Sequence, residues 1–325
     1  MKEILRRIFI AARPAVDLVL AIMAVPAGLI LWLYRRIGSR RLPIATGVLR
    51  KIGVFPIRDH YYEPLFNDRH LSKPLDEPRT LPGIDFRVDE QLALLAEMSR
   101  ADEFVQFVEQ QQADSSEASF RFDNLAFEPG DADFLYQVIR HLKPNKVIEI
   151  GSGTSTKVAR KALSMNGNES GESPQHICVE PYERPWLEAF DGIDLVRARV
   201  EDCDIDWGSA LASGDLLFID SSHIIRPQGD VLHEYLEIIP QLRSGVIVHV
   251  HDIFSPRDYL DAWVRGDVRL WNEQYLLEAI LGNSARYEVV AALNLLKHEH
   301  YSELKRVCPF LAPGNQPGSF YFRVR

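Results

Sequence analysis

The sequence predicts an α/β protein with a doubly wound parallel sheet closed by two further strands. Three observations carry that expectation. From about Phe122 onward, short apolar runs alternate with helical periodicity. Leu216–Ile219 (LLFI) is apolar throughout, as expected of a strand covered on both sheet faces. Polar motifs follow several strands at their carboxyl ends, where open α/β sheets bind ligands.

The chain divides into three parts by pattern. Residues 1–41 read as a membrane-associated hydrophobic segment with basic flanks, 42–120 as an irregular and helical accessory region, and 121–325 as the α/β domain. Hydrophobic residues make up 46% and charged residues 26%, ordinary for a chain that buries a core. A formal charge of −9 argues against a nucleic-acid partner, which calls for a basic domain. Cys178, Cys203 and Cys308 are far apart, with no CxxC or Cys/His cluster. They suggest neither disulfides nor a zinc site and suit a reducing cytoplasm.

Pro14–Tyr34 (PAVDLVLAIMAVPAGLILWLY) is almost continuously apolar, with the single charge Asp17. As a helix it would be about 30 Å long, enough to cross a bilayer. Trp32 and Tyr34 suit the lipid–water interface at one end. The alternative is a buried helix of the soluble domain. Lys2, Arg6, Arg7 and Arg13 on one flank balance Arg35, Arg36, Arg40 and Arg41 on the other, so charge does not orient the segment. Pro26 can kink it. A single span with a cytoplasmic domain and a re-entrant segment resting on anionic lipid both fit.

Pro43, Pro56, Pro64, Pro74, Pro78 and Pro82 argue against long helices before Gly83. His60, Tyr61, Tyr62 and Glu63 could cover a substrate pocket or pack on a neighbouring domain. Apolar spacing over Glu90–Gln110 predicts one amphipathic helix or two short ones, and Gln111–Ser119 a loop. Beyond Phe122 the expected order is helix Ala132–Leu142, strand Lys146–Ile150, helix Thr156–Met165, a polar loop Asn166–Gln175 and strand His176–Val179. A helix near Arg184–Ala189 and strands Leu195–Arg199 and Leu216–Ile219 come next. Helix Gly229–Leu242, strand Gly245–Val250, helix Trp271–Leu281 and strands Tyr287–Leu295 and Ser319–Val324 complete the chain.

The first strand runs into Glu149-Ile-Gly151-Ser152-Gly153-Thr-Ser155-Thr. Gly151 and Gly153 permit a tight turn and close approach of a ligand to the backbone. The following helix offers free N–H groups. A dinucleotide fingerprint would need a third glycine where Thr156 stands. The second strand ends at Glu180, where a carboxylate can accept both hydroxyls of a ribose. Strand four ends in Asp220-Ser221-Ser222-His223 and strand five in His249-Val-His251-Asp252, which brings acids and imidazoles to one cleft.

The run V-I-E-I-G-S-G-T-S-T resembles motif I of class I S-adenosylmethionine-dependent methyltransferases. The resemblance implies a seven-stranded Rossmann-like sheet over about Phe122–Arg325 and an enzyme using S-adenosylmethionine. It implies that Glu149, with the turn of Gly151, Ser152, Gly153 and Ser155, holds the methionine part of the cofactor. Glu180 would take the ribose, and Asp202, beside Glu201, the adenine. The strand-four and strand-five motifs resemble the subgroup related to cephalosporin-biosynthesis and sugar O-methyltransferases. In this chain Ser221 and Ser222 replace the Gly-Asp of FIDGDH, so the second acid of that pattern is absent. Related catechol-type enzymes place a divalent metal here, for which Asp220 and Asp252 are the candidate ligands of Mg2+. Ile253 stands where those enzymes carry an amide.

The expected chemistry is O-methylation of a small polar, sugar or lipid-linked acceptor at the membrane surface. Asp220, His223, His251 and Asp252 form the catalytic set, and His251 or His223 is the base. The helix carrying Trp271, Asn272, Glu273 and Tyr275 is placed to wall the acceptor pocket. The expected partners are a small-molecule acceptor and membrane lipid through residues 14–34, with the catalytic domain in the cytoplasm. A noncatalytic cofactor-binding scaffold and a nicotinamide-dependent oxidoreductase are the alternatives.

Overall fold

The computed structural model describes residues 2–60, 62–112, 116–122 and 127–325, with the side chains of 2–11 and 112 outside that description. Tyr61 lies outside the described residues. The chain forms two compact units, Met1–Ser72 and Lys73–Arg325.

In the first unit, α1 (Lys2–Ile37) runs unbroken through Pro14 and Pro26. Within α1, the stretch Ala12–Ile37 contains eighteen consecutive residues with a mean hydropathy of 2.3, none of them buried. A short helix, α2 (Pro43–Ile52), follows and stops at Gly53, in the left-handed region at φ 82°. The prolines beyond it allow only a single helical turn, Asp68–His70, before residue 73.

The second unit begins with α3 (Val88–Glu97) and α4 (Ala101–Gln112), two short helices as the apolar spacing allowed. Both lie within the compact unit that holds the sheet. Gln91 of α3 accepts a 2.8 Å hydrogen bond from the backbone N–H of Ala292. Glu103 of α4 takes one from the buried Arg140 at 2.6 Å.

The sheet unit continues with α5 (Asp131–Leu142), β1 (Lys146–Ile150), α6 (Thr154–Ser170), β2 (Gln175–Val179), α7 (Pro185–Glu188), β3 (Asp194–Val196), α8 (Trp207–Ala210) and β4 (Leu216–Ile219). Then come α9 (Asp230–His233), β5 (Ile247–Val250), α10 (Glu273–Asn283), β6 (Tyr287–Ala292), α11 (Leu293–Glu299), α12 (Tyr301–Val307) and β7 (Phe320–Val324). Spatial order in the sheet is β3-β2-β1-β4-β5-β7-β6. β1 to β5 pair in parallel, and β7 enters antiparallel between β5 and β6. Strand order reverses between β1 and β4, so their carboxyl ends flank the switch point where such sheets bind ligands. All four residues of β4 are buried. At about 1.5–3 kcal/mol for each side chain removed from water, this strand anchors the site it carries.

Three expectations are corrected. The polar run from Asn166 is not a loop: α6 continues to Ser170 and ends at Gly171, φ 76°. Asn166 is buried there, donating to the carbonyl of Ile139 at 2.8 Å and accepting from Arg140. Glycine at 171, rather than polarity, ends the helix. The strand expected through Leu295 stops at Ala292, and Leu293–Glu299 is helical. The helix expected over 229–242 is one α turn, then a π turn over Glu234–Ile238, then a 3-10 turn containing Pro240.

Candidate active site

The β1 bend is built on a close approach. Gly151 has φ 85°, and a Cβ there would lie 1.9 Å from the carbonyl oxygen of Asp220. Only glycine lets the ends of β1 and β4 come so near. Gly153 then starts α6, its N–H donating to Thr156 Oγ1 at 3.0 Å. Ser152 and Ser155 are buried in this turn.

Glu149 is fully buried. Its Oε2 lies 2.9 Å from His176 Nε2 and 3.5 Å from Cys178 Sγ, both on β2. Among the described residues its Oε1 has no hydrogen-bond partner, and neither has Ser152 Oγ. Two buried oxygens at the bend therefore stand ready for a donor. Glu180 is also buried and takes the N–H of Tyr182 at 2.9 Å through Oε1. Asp202 faces the other way: it is 54% exposed and ion-pairs with Arg199 at 2.7 Å. Its neighbour Glu201 is the more buried of the two, at 14%.

The ends of β4 and β5 hold one connected cluster. His223 Nδ1 is 2.8 Å from Glu273 Oε2, while its Nε2 lies 3.3 Å from Asp220 Oδ1 and 3.4 Å from Asp252 Oδ2. His251 Nδ1 is 3.5 Å from both Asp220 and Asp252, and its Nε2 is 3.7 Å from Asp131. Strand alternation alone would put His251 and Asp252 on opposite faces. β5 ends at Val250, however, and Asp252 takes φ 60°, which turns both residues to Asp220. His223 is also left-handed, at φ 59°. Such backbone is costly for residues other than glycine and gathers at functional sites.

Charge follows the geometry. Burial works against a charged His223, but hydrogen bonds to Asp220 and Glu273 and the nearby carboxylates hold its pKa well above the usual value. Burial likewise opposes charge on His251, and Asp252 and Asp220 overcome it. Burial would raise Asp220, yet the charge of His251 and the hydrogen bond from His223 hold it below the usual carboxylate range. Burial dominates at Asp252 and pushes it up. The surrounding acids thus bias both imidazoles toward their protonated forms.

The third histidine plays no part. His249 is fully buried, stacked on Tyr321 at 4.0 Å, and neither ring nitrogen has a hydrogen-bond partner among the described residues. Burial and the charge of His251 keep it neutral. Ser221 and Ser222 also face inward: Ser221 Oγ donates to Glu234 at 3.0 Å and Ser222 Oγ to Asp230 at 2.6 Å.

Two cluster members escaped the sequence reading in these roles. Asp131 opens α5 and accepts the N–H groups of Ser319 and Gly318, which fixes it under His251. It reads in the sequence only as the acid at a helix start. Glu273 was expected to wall a pocket, but it clamps His223 and takes the hydroxyl of Tyr235 at 2.9 Å. Trp271 does border the cluster, its ring centroid 4.3 Å from that of His223.

Residues 148–253 match the family profile described as a methyltransferase domain. A protein of Archaeoglobus fulgidus described as uncharacterized is 24% identical over 188 residues, covering 54% of this chain and 83% of its own length. Among solved structures, an SAH-bound methyltransferase of Podospora anserina is 17% identical, with a TM-score of 0.40, over 77% of this chain and 100% of its own. An O-methyltransferase of Bacillus cereus in complex with SAH is 12% identical, with a TM-score of 0.39, over 71% of this chain and 100% of its own. The profile match runs from β1 to just past β5, so over residues 148–253, about a third of its length, the chain is similar to a methyltransferase domain.

Proposed function

We propose that the chain methylates a hydroxyl oxygen of a small, ring-bearing polar acceptor, sugar-like or lipid-linked, at a membrane surface. The observation that carries this reading is the junction of Gly151 with Asp220, which sets the glycine bend against the Asp220–His223–His251–Asp252 cluster.

The residues at the bend fit the methyl donor. Glu149 Oε1 and Ser152 Oγ are buried acceptors without a donor, as the ammonium of a methionine moiety requires. Glu180 suits the ribose hydroxyls, and Glu201 suits the adenine amino group better than the outward-facing Asp202. S-adenosylmethionine supplies a sulfonium methyl group, which needs alignment with its acceptor rather than covalent help from the protein. As the oxygen–methyl bond forms and the sulfur–methyl bond breaks, its electron pair stays on sulfur and the hydroxyl proton must leave. An imidazole of the cluster, first relieved of its own proton, receives it, with Asp220 orienting the ring. Trp271 borders the cluster beside His223, with the Arg269 guanidinium 4.8 Å from the centre of its ring, and supplies an aromatic edge to the acceptor side.

Magnesium does not fit the residues present. The atoms of Asp220, His223 and Asp252 lie within 4.8 Å of one another, but magnesium prefers an all-oxygen shell. The His223 imidazole between the acids already does the bridging that a cation would do. EDTA should therefore leave turnover unchanged.

For location, α1 supports the reading: the 26-residue stretch Ala12–Ile37, apolar but for a few charges near its ends, is long enough to cross a bilayer. The test is conversion of S-adenosylmethionine to S-adenosylhomocysteine by the full chain in vesicles, with candidate glycan, phenol and lipid-linked acceptors. Acceptor-dependent turnover, lost in Asp220→Asn, is expected. Cofactor binding without turnover would favour the scaffold reading. Quenching by reduced nicotinamide cofactor without affinity for S-adenosylhomocysteine would favour an oxidoreductase.

A further inference from the structure

α2 is amphipathic in an unusual setting. Ile44, Val48 and Ile52 recur at every fourth position and so share one face. They are 85%, 51% and 67% exposed. A ten-residue helix with that much apolar surface in water lacks something to bury it.

The helix is also tied to the end of the apolar stretch of α1. Tyr34 Oη lies 2.7 Å from Thr46 Oγ1, and Thr46 Oγ1 donates to the carbonyls of Leu42 and Ser39. The loop behind α2 is held to the same place, where Glu63 accepts two bonds from Arg35, at 2.5 and 2.7 Å, and one from Arg58 at 3.4 Å. That loop exposes Phe55 at 70% and Phe66 at 49%. Four exposed bases, Arg40, Arg41, Arg50 and Lys51, border this apolar surface, with no acidic partner among the described residues. Apolar side chains at the end of a candidate span, ringed by unpaired cations, match the headgroup layer of an anionic bilayer.

We propose that α2 and the loop behind it lie in that layer as a collar where α1 leaves the membrane. The proposal rests on the reading of α1 as a span. It also breaks the tie between the flanks, because Arg50 and Lys51 join the basic residues that follow α1. The positive-inside rule then places the end of α1, and the chain beyond it, on the cytoplasmic side.

The test uses the full chain with Cys203→Ser, since Cys178 and Cys308 are buried. A bimane label is attached in turn at Val48→Cys, at Leu29→Cys within α1, and at the exposed Glu172→Cys. Each variant is placed in vesicles of equal parts phosphatidylcholine and phosphatidylglycerol. Nitroxide lipids labelled near the headgroup should quench the label at 48 and aqueous iodide should not, and that lipid quenching should fall in phosphatidylcholine alone. The label at 29 should respond to deep nitroxides and that at 172 to iodide only. Iodide quenching at 48 equal to that at 172, with 29 still lipid-quenched, overturns the collar and leaves the span standing. Iodide access at both 48 and 29 removes both. A label at 48 shielded from iodide and lipid alike means that protein covers α2, and this too overturns the proposal.

Discussion

Replacing Gly151 by alanine tests the junction on which the site is built. At φ 85° an alanine leaves its preferred backbone region, which costs about 1–2 kcal/mol. Its methyl would also lie 1.9 Å from the Asp220 carbonyl oxygen, a backbone atom with no rotamer to escape by. Forced overpacking of this kind typically costs about 1–3 kcal/mol. The sum, about 2–5 kcal/mol, is a large share of a domain stability of about 5–15 kcal/mol. At about 2–4 °C per kcal/mol for a domain of this size, Tm should fall by about 4–20 °C. Thermal unfolding followed by near-ultraviolet circular dichroism, with and without S-adenosylhomocysteine, reads both the loss and any ligand rescue. Gly314→Ala is the control, because nothing lies within 4 Å of a Cβ there and its φ is not left-handed. A Gly151→Ala protein with the parent Tm and undiminished ligand rescue would refute the reasoning.

Asp220→Asn keeps the shape but removes the charge shared by both histidines, so turnover should drop by about 100-fold or more while S-adenosylhomocysteine still binds. Nearby acids raise His223 and His251, so kcat/KM should climb with pH above neutrality as an imidazole releases its proton. Asp252→Asn removes part of what holds the His251 proton, so the rising limb should move to lower pH. A shift to higher pH would contradict the assignment. His249 has the opposite sign: its depressed folded pKa means that stability present above the unfolded pKa of about 6.5 is lost as pH falls through the folded value. His249→Phe should therefore flatten the acid limb of a urea-denaturation series, and an unchanged limb would show that another group is responsible.

The fold was legible where the pattern was local. KVIEI, LLFI and the bend after Glu149 combine apolar runs with glycine, and they lie where expected. Legibility failed where tertiary partners override composition. The run from Asn166 looks like a loop because of its polar residues, but a buried Arg140 makes Asn166 a good interior residue. The strand from Tyr287 stops at Ala292, although the apolar run continues into a helix. At the site, the residues at strand ends could be named in advance. Their partners could not, because Asp131 and Glu273 reach His251 and His223 from elements distant in sequence. The turn of Asp252 toward Asp220 depends on a single left-handed residue, which periodicity does not encode.

Calorimetric titration of the full chain with S-adenosylhomocysteine, beside Glu180→Ala, is the most direct trial of cofactor binding at the ends of β1 and β2. One site per chain is expected. Affinity should weaken by about 100-fold in the variant, from two hydrogen bonds to a charged acceptor at about 1.5 kcal/mol each. No heat of binding in the parent, or equal affinity in both proteins, would contradict it.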